Sequence, residues 1–241
     1  MCPIDSPQKE ITTLAVDACG RHCGAAVTKG PALLGEQVLS GSRNHSELLL
    51  LVIDQLMDSL DLTLADMDLI AVTRGPGSFT GVRTGISTAQ GLAFSLKKDL
   101  IGVSTLEVLA IQAGKDSGYV CPMIDARKKQ VYTCLYDFSD GMKKVMVDTV
   151  VSPDEWLGTV PESVTFIGDG ATVYRNKIER KKDEQFRILP PHMGIIRAST
   201  AAFAAADSYL QHRRNELAHI SPEYLRPPDA VAGKKGNKVV N

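Results

Sequence analysis

Residues 73–85, Thr-Arg-Gly-Pro-Gly-Ser-Phe-Thr-Gly-Val-Arg-Thr-Gly, constrain this chain more than any other stretch. The apolar run 67–73 leads in and predicts a short buried strand, and a helical pattern from Val82 to Leu96 leads out. Gly75, Gly77 and Gly81, with Pro76 among them, allow a strand-to-helix turn closed to other residue types. Such a turn lets a ligand approach the main chain, and a helix start offers unbonded N–H groups to an anion. The stretch is neither a Walker loop, since no Gly-Lys-Ser/Thr follows, nor a dinucleotide fingerprint, since the glycine spacing differs. Spacing alone favours a tight packing turn over an anion cradle, and leaves Gly75 and Gly77 as candidate ligand contacts.

Gly81, Gly85, Ala89 and Ala93 recur every four residues along the following helix, so one face carries almost no side chain. Either the helix packs tightly inside the monomer or another chain meets it there. The preceding helix, about 44–60, is introduced by Asn44 and Glu47 in capping-box spacing. Its apolar positions exceed one stripe: Leu49, Val52, Ile53 and Leu56 can face a sheet, which leaves Leu48, Leu51 and Met57 for a partner. The predicted partner surface is therefore Leu48, Leu51, Met57, Gly81, Gly85 and Ala89, and such a surface predicts a two-fold homodimer in isolation.

The elements repeat. A strand ending at Asp17, two further strands at 23–28 and 32–40, a helix, a strand and the glycine turn fill residues 11–114. A strand ending at Asp125, strands at 130–138 and 143–151, a short Ser152-capped helix, a strand at 164–168 and a glycine turn restart the plan in 115–228. A helical stretch then runs to Lys182, and an Ala-rich helix to Arg213. Residues 1–10 read as a leader and 229–241 as a loose tail. The prediction is an α/β protein of two small lobes, each with a mixed sheet and helices, resembling the duplicated actin/Hsp70-like (ASKHA) architecture. That resemblance implies a nucleotide held between the lobes by the hairpins bearing Asp17 and Asp125, although Asp17 can equally bond its own turn.

A formal net charge of −1 supplies no general basic field, so tight binding of tRNA by this chain alone is not expected. No apolar run reaches the ~20 residues of a membrane span, and the N-terminus lacks a signal-peptide core, so a cytoplasmic protein is expected. Five cysteines, Cys2, Cys19, Cys23, Cys121 and Cys134, show neither a disulfide framework nor paired zinc spacing.

Leu14-Ala-Val-Asp17, Arg43-Asn-His-Ser-Glu47, Arg74 through Gly85, Gly102-Val-Ser-Thr-Leu-Glu107 and Ser221-Pro-Glu-Tyr-Leu-Arg226 together resemble the TsaB (formerly YeaZ) family, over about residues 11–228. The resemblance implies a non-catalytic partner of TsaD. That pair works with the ATPase TsaE to form threonylcarbamoyladenosine beside the anticodon of tRNAs reading codons that begin with A, and this chain would meet tRNA only through the complex. TsaD carries Asn-His-Leu-Glu-Gly-His with two metal-binding His residues, where this chain has Ser104-Thr-Leu-Glu-Val-Leu109. Thr105 and Leu109 fill the His positions, so no metal site is expected. The family usually has Thr-Ser after the first Asp; here Ala18-Cys19 follow, which predicts no cofactor of its own and at most weak ATP or ADP binding. A nucleotide-dependent transferase or glycoprotease-like hydrolase active on its own is the alternative.

Overall fold

The computed structural model describes residues 10–40, 45–114, 118–181 and 185–226. The first nine residues of the leader, the Asn44 cap and the 229–241 tail lie outside them.

The first lobe is built on β1 (Thr12–Asp17), β2 (His22–Lys29), β3 (Ala32–Ser40), β4 (Leu69–Thr73) and β5 (Asp99–Val103), with α1 (His45–Ser59), α2 (Phe79–Leu96) and α3 (Thr105–Ala113). Its sheet has the order β3-β2-β1-β4-β5: an antiparallel meander, then β4 and β5 parallel to β1. The second lobe repeats this with β6 (Tyr119–Asp125), β7 (Val131–Asp137), β8 (Lys143–Val151), the short helix α4 (Pro153–Trp156), β9 (Ser163–Ile167) and β10 (Gln185–Ile188), its strands in the order β8-β7-β6-β9-β10. The duplicated plan is thus present strand for strand, including the parallel β6-β9 and β9-β10 pairs.

Every residue of β4, and all of β1 after Thr12, is buried, as expected of strands covered on both faces. α1 and α2 pair on one face of the first sheet. The other face is taken by α7 (Ala198–His212), which crosses β1, β2, β4 and β5 beside α3. α3 in turn packs against β6, β7 and β9, so it is the layer shared by the two lobes.

Two expectations need correction. The single helical stretch from 169 to 182 is two short helices, α5 (Asp169–Val173) and α6 (Arg175–Glu179), which meet where Tyr174 leaves helical geometry at φ −103°. Residues 198–220 do not stay with the second lobe. The Glu36 carboxylate on β3 accepts from the Arg197 guanidinium, the Ser199 amide and the Ser199 hydroxyl, which fixes the start of α7 on the first sheet. Beyond α7 the chain follows the edge of β5: Glu216 N–H donates to Leu100 O at 2.8 Å, and the Gly102 amide donates to the Glu216 carboxylate at 2.9 Å. This covers an edge strand that would otherwise offer unpaired main-chain groups. Among the described residues no helix is long and apolar enough to cross a membrane.

Candidate functional site: the glycine loop and the cleft it borders

The loop between β4 and α2 is held by its own carbonyls and amides. Arg74 N–H donates to Val103 O, Arg74 O accepts from Glu223 N–H, and Gly75 O accepts from Thr105 N–H, all at 2.8–2.9 Å. Pro76 O accepts the Thr105 hydroxyl at 2.5 Å. Ser78 N–H donates to Cys19 O at 2.7 Å, and the Ser78 hydroxyl caps α2 by accepting from Gly81 N–H. A Cβ on Gly77 would stand 2.4 Å from Cys19 O, and Gly75 has φ 101°. The glycines therefore let the loop touch the β1–β2 turn and the start of α3. This is the geometry of the tight-turn reading, with much of the loop's main chain already engaged.

Asp17 turns inward. Its side chain is buried beneath the turn, accepting the Thr73 hydroxyl at 2.5 Å and the Cys19 amide at 3.2 Å. Burial drives its carboxyl up to about 6, against the lowering effect of those hydrogen bonds. Asp125, its counterpart, faces the cleft instead: it accepts from Arg127 N–H at 3.0 Å and pairs with the Arg127 guanidinium at 3.2 Å. Arg127, Lys128 and Lys129 all take left-handed backbone angles, φ 52–60°. That conformation costs about 1–2 kcal/mol for each side-chain-bearing residue, and it brings Arg127 and Lys128 to the cleft wall.

The cleft is a cavity of about 880 Å³. The first lobe contributes Cys19, Arg21, Gly77 and Phe79, the second Asp125, Arg127, Lys128 and Asp169, and the C-terminal segment Tyr224 and Arg226. Gly77 reaches it; Asp17 does not. Cys19 has its thiol turned away to the Thr73 carbonyl and hydroxyl, at 3.3 and 3.1 Å, and burial raises it well above the ordinary thiol range.

The predicted partner ridge also needs correction. Gly81, Gly85 and Ala89 are buried. A Cβ on Gly85 would lie 3.6 Å from Val72 and 3.7 Å from Ala18, so this stripe packs on the sheet. Leu48 and Met57 belong to the core at 5% exposure each, and Leu51 is half-buried. Gly85→Ala is accordingly expected to fold normally, whereas Gly85→Leu should lower stability by about 1–3 kcal/mol in urea denaturation through overpacking. Equal stability of the two variants would return the stripe to the surface.

The outward face of the same two helices carries residues the apolar periodicity did not select. Leu50 is 55% exposed. Phe79, Thr80, Arg83, Thr84, Ser87 and Thr88 line a shallow groove of about 400 Å³ with Ser46. The Arg83 guanidinium sits 3.8 Å above the Phe79 ring, its Nε–H donates to Tyr224 OH at 2.6 Å, and Tyr224 stacks on Phe79 at 5.2 Å. Phe79 and Arg83 stand inside the 74–85 motif and Tyr224 inside the 221–226 motif, and that is the signal that could have selected them.

Thr105 and Leu109 lie on the buried side of α3. Both Thr105 donors are spent on the glycine loop, and Leu109 is 1% exposed in the core. Among the described residues no group of three His, Cys, Asp or Glu side chains is placed to hold a metal ion.

A family model described as TsaD, tRNA N6-adenosine threonylcarbamoyltransferase, matches residues 33–235. The tRNA threonylcarbamoyladenosine biosynthesis protein TsaB of Bacillus subtilis is 30% identical over 226 residues, 92% of this chain and 97% of that protein. The structure of YeaZ from Pseudomonas aeruginosa superposes with a TM-score of 0.75 at 26% identity, over 89% of this chain and all of that one. The (R)-2-hydroxyglutaryl-CoA dehydratase component A of Acidaminococcus fermentans, at 12% identity, shares the fold alone, with a TM-score of 0.51 over 83% of this chain and 99% of that one. With its duplicated ASKHA-type lobes, the chain belongs to the TsaB (YeaZ) family of tRNA threonylcarbamoyladenosine biosynthesis proteins.

Proposed function

We propose that this chain is a non-catalytic partner subunit of a TsaD-type threonylcarbamoyltransferase. It is required for threonylcarbamoyladenosine formation beside the anticodon of tRNAs reading codons that begin with A, together with a TsaE-type ATPase in the cytoplasm. The observation that carries this is the state of Thr105 and Leu109. At the positions matched to the TsaD histidines, one side chain is committed to the Pro76 carbonyl and the other is packed in the core. Neither supplies a metal ligand or a proton-transfer group to an open site.

The partner surface is the outward face of α1 and α2, centred on Leu50, Leu51, Phe79 and Arg83. An apolar patch beside an aromatic-braced Arg has the composition of an interface hot spot. The same face pairs two copies of this chain when the partner is absent. tRNA is met only through the complex.

Nucleotide affinity of the cleft is weak, because Ala18 and Cys19 bring no hydroxyl to it. Each missing hydrogen bond to a charged phosphate forfeits about 1.5–3 kcal/mol, enough for two to move a micromolar site into the millimolar range.

Reconstitution tests this. The chain alone should modify no tRNA, and adding TsaD-type and TsaE-type proteins should restore modification. A Leu50→Asp/Arg83→Glu variant should fold normally by circular dichroism yet bind the TsaD-type protein about 100-fold more weakly. Modified adenosine formed by the chain alone would establish an autonomous transferase instead. Unchanged binding by the variant would move the interface elsewhere, and a micromolar ATP dissociation constant would overturn the weak-site reading.

A further inference from the structure

Residues 214–226 form a strap that runs from the first lobe to the second. Asn215 and Glu216 fasten it to β5, their side chains accepting from the Leu100 and Gly102 amides at 3.2 and 2.9 Å. The strap then crosses the glycine loop, where Glu223 N–H donates to Arg74 O at 2.8 Å. Gly75 admits it there, since an added Cβ would lie 3.2 Å from Glu223 O. Three residues on, Arg226 donates to Ala126 O at 2.7 Å and to the Gln130 side chain, both on the β6–β7 turn of the second lobe. Tyr224 stands between these two anchors.

The Tyr224 side chain reaches α2, its ring stacked on Phe79 and its hydroxyl accepting from Arg83 Nε–H. Arg83 is exposed, and an exposed guanidinium with nothing to hold it samples many rotamers. Here two contacts define it: the Phe79 ring at 3.8 Å and the Tyr224 oxygen at 2.6 Å. Phe79 lines both the shallow groove on the outward face and the cleft, whereas Tyr224 and Arg226 line the cleft and not the groove. Arg83 is therefore held from the cleft side, by a segment that is itself tied to the other lobe.

We propose that the strap presets Arg83 for the partner, with Tyr224 and Arg226 as positioning residues, and so makes the partner face depend on the joining of the two lobes. This rests on the assignment of the partner to the outward face of α1 and α2. Arg226 bonds to the β6–β7 turn and not to Arg83, so its influence passes through Tyr224. Ordering a free Arg on binding costs side-chain entropy, and an Arg already fixed in the free chain escapes that cost. With the second-lobe anchor removed, Tyr224 keeps only the Glu223 anchor beside it, and Arg83 regains its rotamers.

The Arg83 Nε–H proton reads the positioning in the free protein by nuclear magnetic resonance. Bonded to Tyr224 and set against Phe79, it should exchange slowly with solvent. Arg226→Met removes both bonds to the second lobe and keeps an apolar stem. It should speed that exchange about tenfold while the denaturant midpoint shows an intact fold. Tyr224→Phe, which keeps the stack and deletes the acceptor, should do the same, and the double variant should go no further. Gln130→Ala removes one of the two Arg226 bonds, should act in the same direction, and serves if Arg226→Met does not fold. Affinity for the TsaD-type protein should fall about tenfold in Arg226→Met. Slow exchange in the folded Arg226→Met or Gln130→Ala protein overturns the proposal. So does unchanged affinity in Arg226→Met while Leu50→Asp/Arg83→Glu binds weakly. Normal binding by Leu50→Asp/Arg83→Glu would instead remove the partner assignment, and the exchange rates would still decide the positioning.

Discussion

Replacing Gly77 with Ala is expected to destabilise the protein by about 3 kcal/mol or more, the largest single-residue effect anticipated in the first lobe. The added Cβ would lie 2.4 Å from Cys19 O and 3.0 Å from Cys19 Cβ. The oxygen cannot give way by a rotamer change, because it is main chain and accepts from Ser78 N–H at 2.7 Å. Relief requires parting the glycine loop from the β1–β2 turn. That breaks the Ser78 bond and withdraws the Ser78 cap from the start of α2. Phe79 and Arg83 stand on that first turn, so the association proposed for the outward face should weaken along with stability.

Gly91→Ala on the same helix is the control. Gly91 is exposed, and nothing lies within 4 Å of an added Cβ. Its replacement should stabilise by about 0.5–1 kcal/mol through helix propensity. Denaturant midpoints of the two variants decide the matter. Equal midpoints would mean that the loop does not depend on contact with Cys19 O.

The duplicated strand order was readable because each lobe writes it with local signals: turn residues between β1, β2 and β3, a Ser before α2, α3 and α4, and an Asp at the end of β1 and of β6. What the helices face was less readable. A stripe of Gly81, Gly85, Ala89 and Ala93 looks the same whether the approaching surface is a sheet of the same chain or a helix of another. Only the contact of Gly85 with Val72 and Ala18 separates the two.

The apolar excess on α1 misled in a related way. Leu48 and Met57 flank the sheet-facing stripe and are absorbed by the core, while Leu50, one residue from buried Leu49, is left outside. β10 escaped notice because its four residues alternate only Phe186 and Ile188 with polar neighbours, too short a pattern to register. The return of residues 198–220 to the first lobe rests on pairings over 100 residues apart, such as Tyr209 OH with Asp99 and Ser199 with Glu36. No local pattern encodes those. Ser221 through Arg226 was visible as a motif, but its bonds to Arg74, Arg83 and Ala126 join residues about 100 or more apart in sequence.

Asp17→Asn should make the protein more stable at neutral pH, with a gain that grows as pH rises. The carboxyl of Asp17 is lifted by burial from 3.8 to about 6, so between those values the folded state holds a proton that the unfolded state has released. Stability contributed by this group is fully present below about pH 4 and is lost as pH climbs through 6. The difference corresponds to roughly 3 kcal/mol at pH 7, since a tenfold change in proton affinity is worth about 1.4 kcal/mol. Asn keeps the oxygen that accepts from the Thr73 hydroxyl and the Cys19 amide, and it never ionises.

Placing an amide nitrogen beneath the turn adds its own cost, but that cost does not vary with pH. The slope of the difference is therefore the readout. Glu223 also titrates above its ordinary range, but it does so in both proteins and cancels. Urea unfolding at a series of pH values from about 4 to 7.5 should show the stability difference moving by roughly 3 kcal/mol in favour of Asn. Thr73→Val removes a hydroxyl that lowers the Asp17 carboxyl, and should carry the transition to still higher pH. A pH-independent difference between Asp17→Asn and the unaltered protein would mean that the buried carboxylate is stabilised as an anion, and that the turn is built to hold a charge.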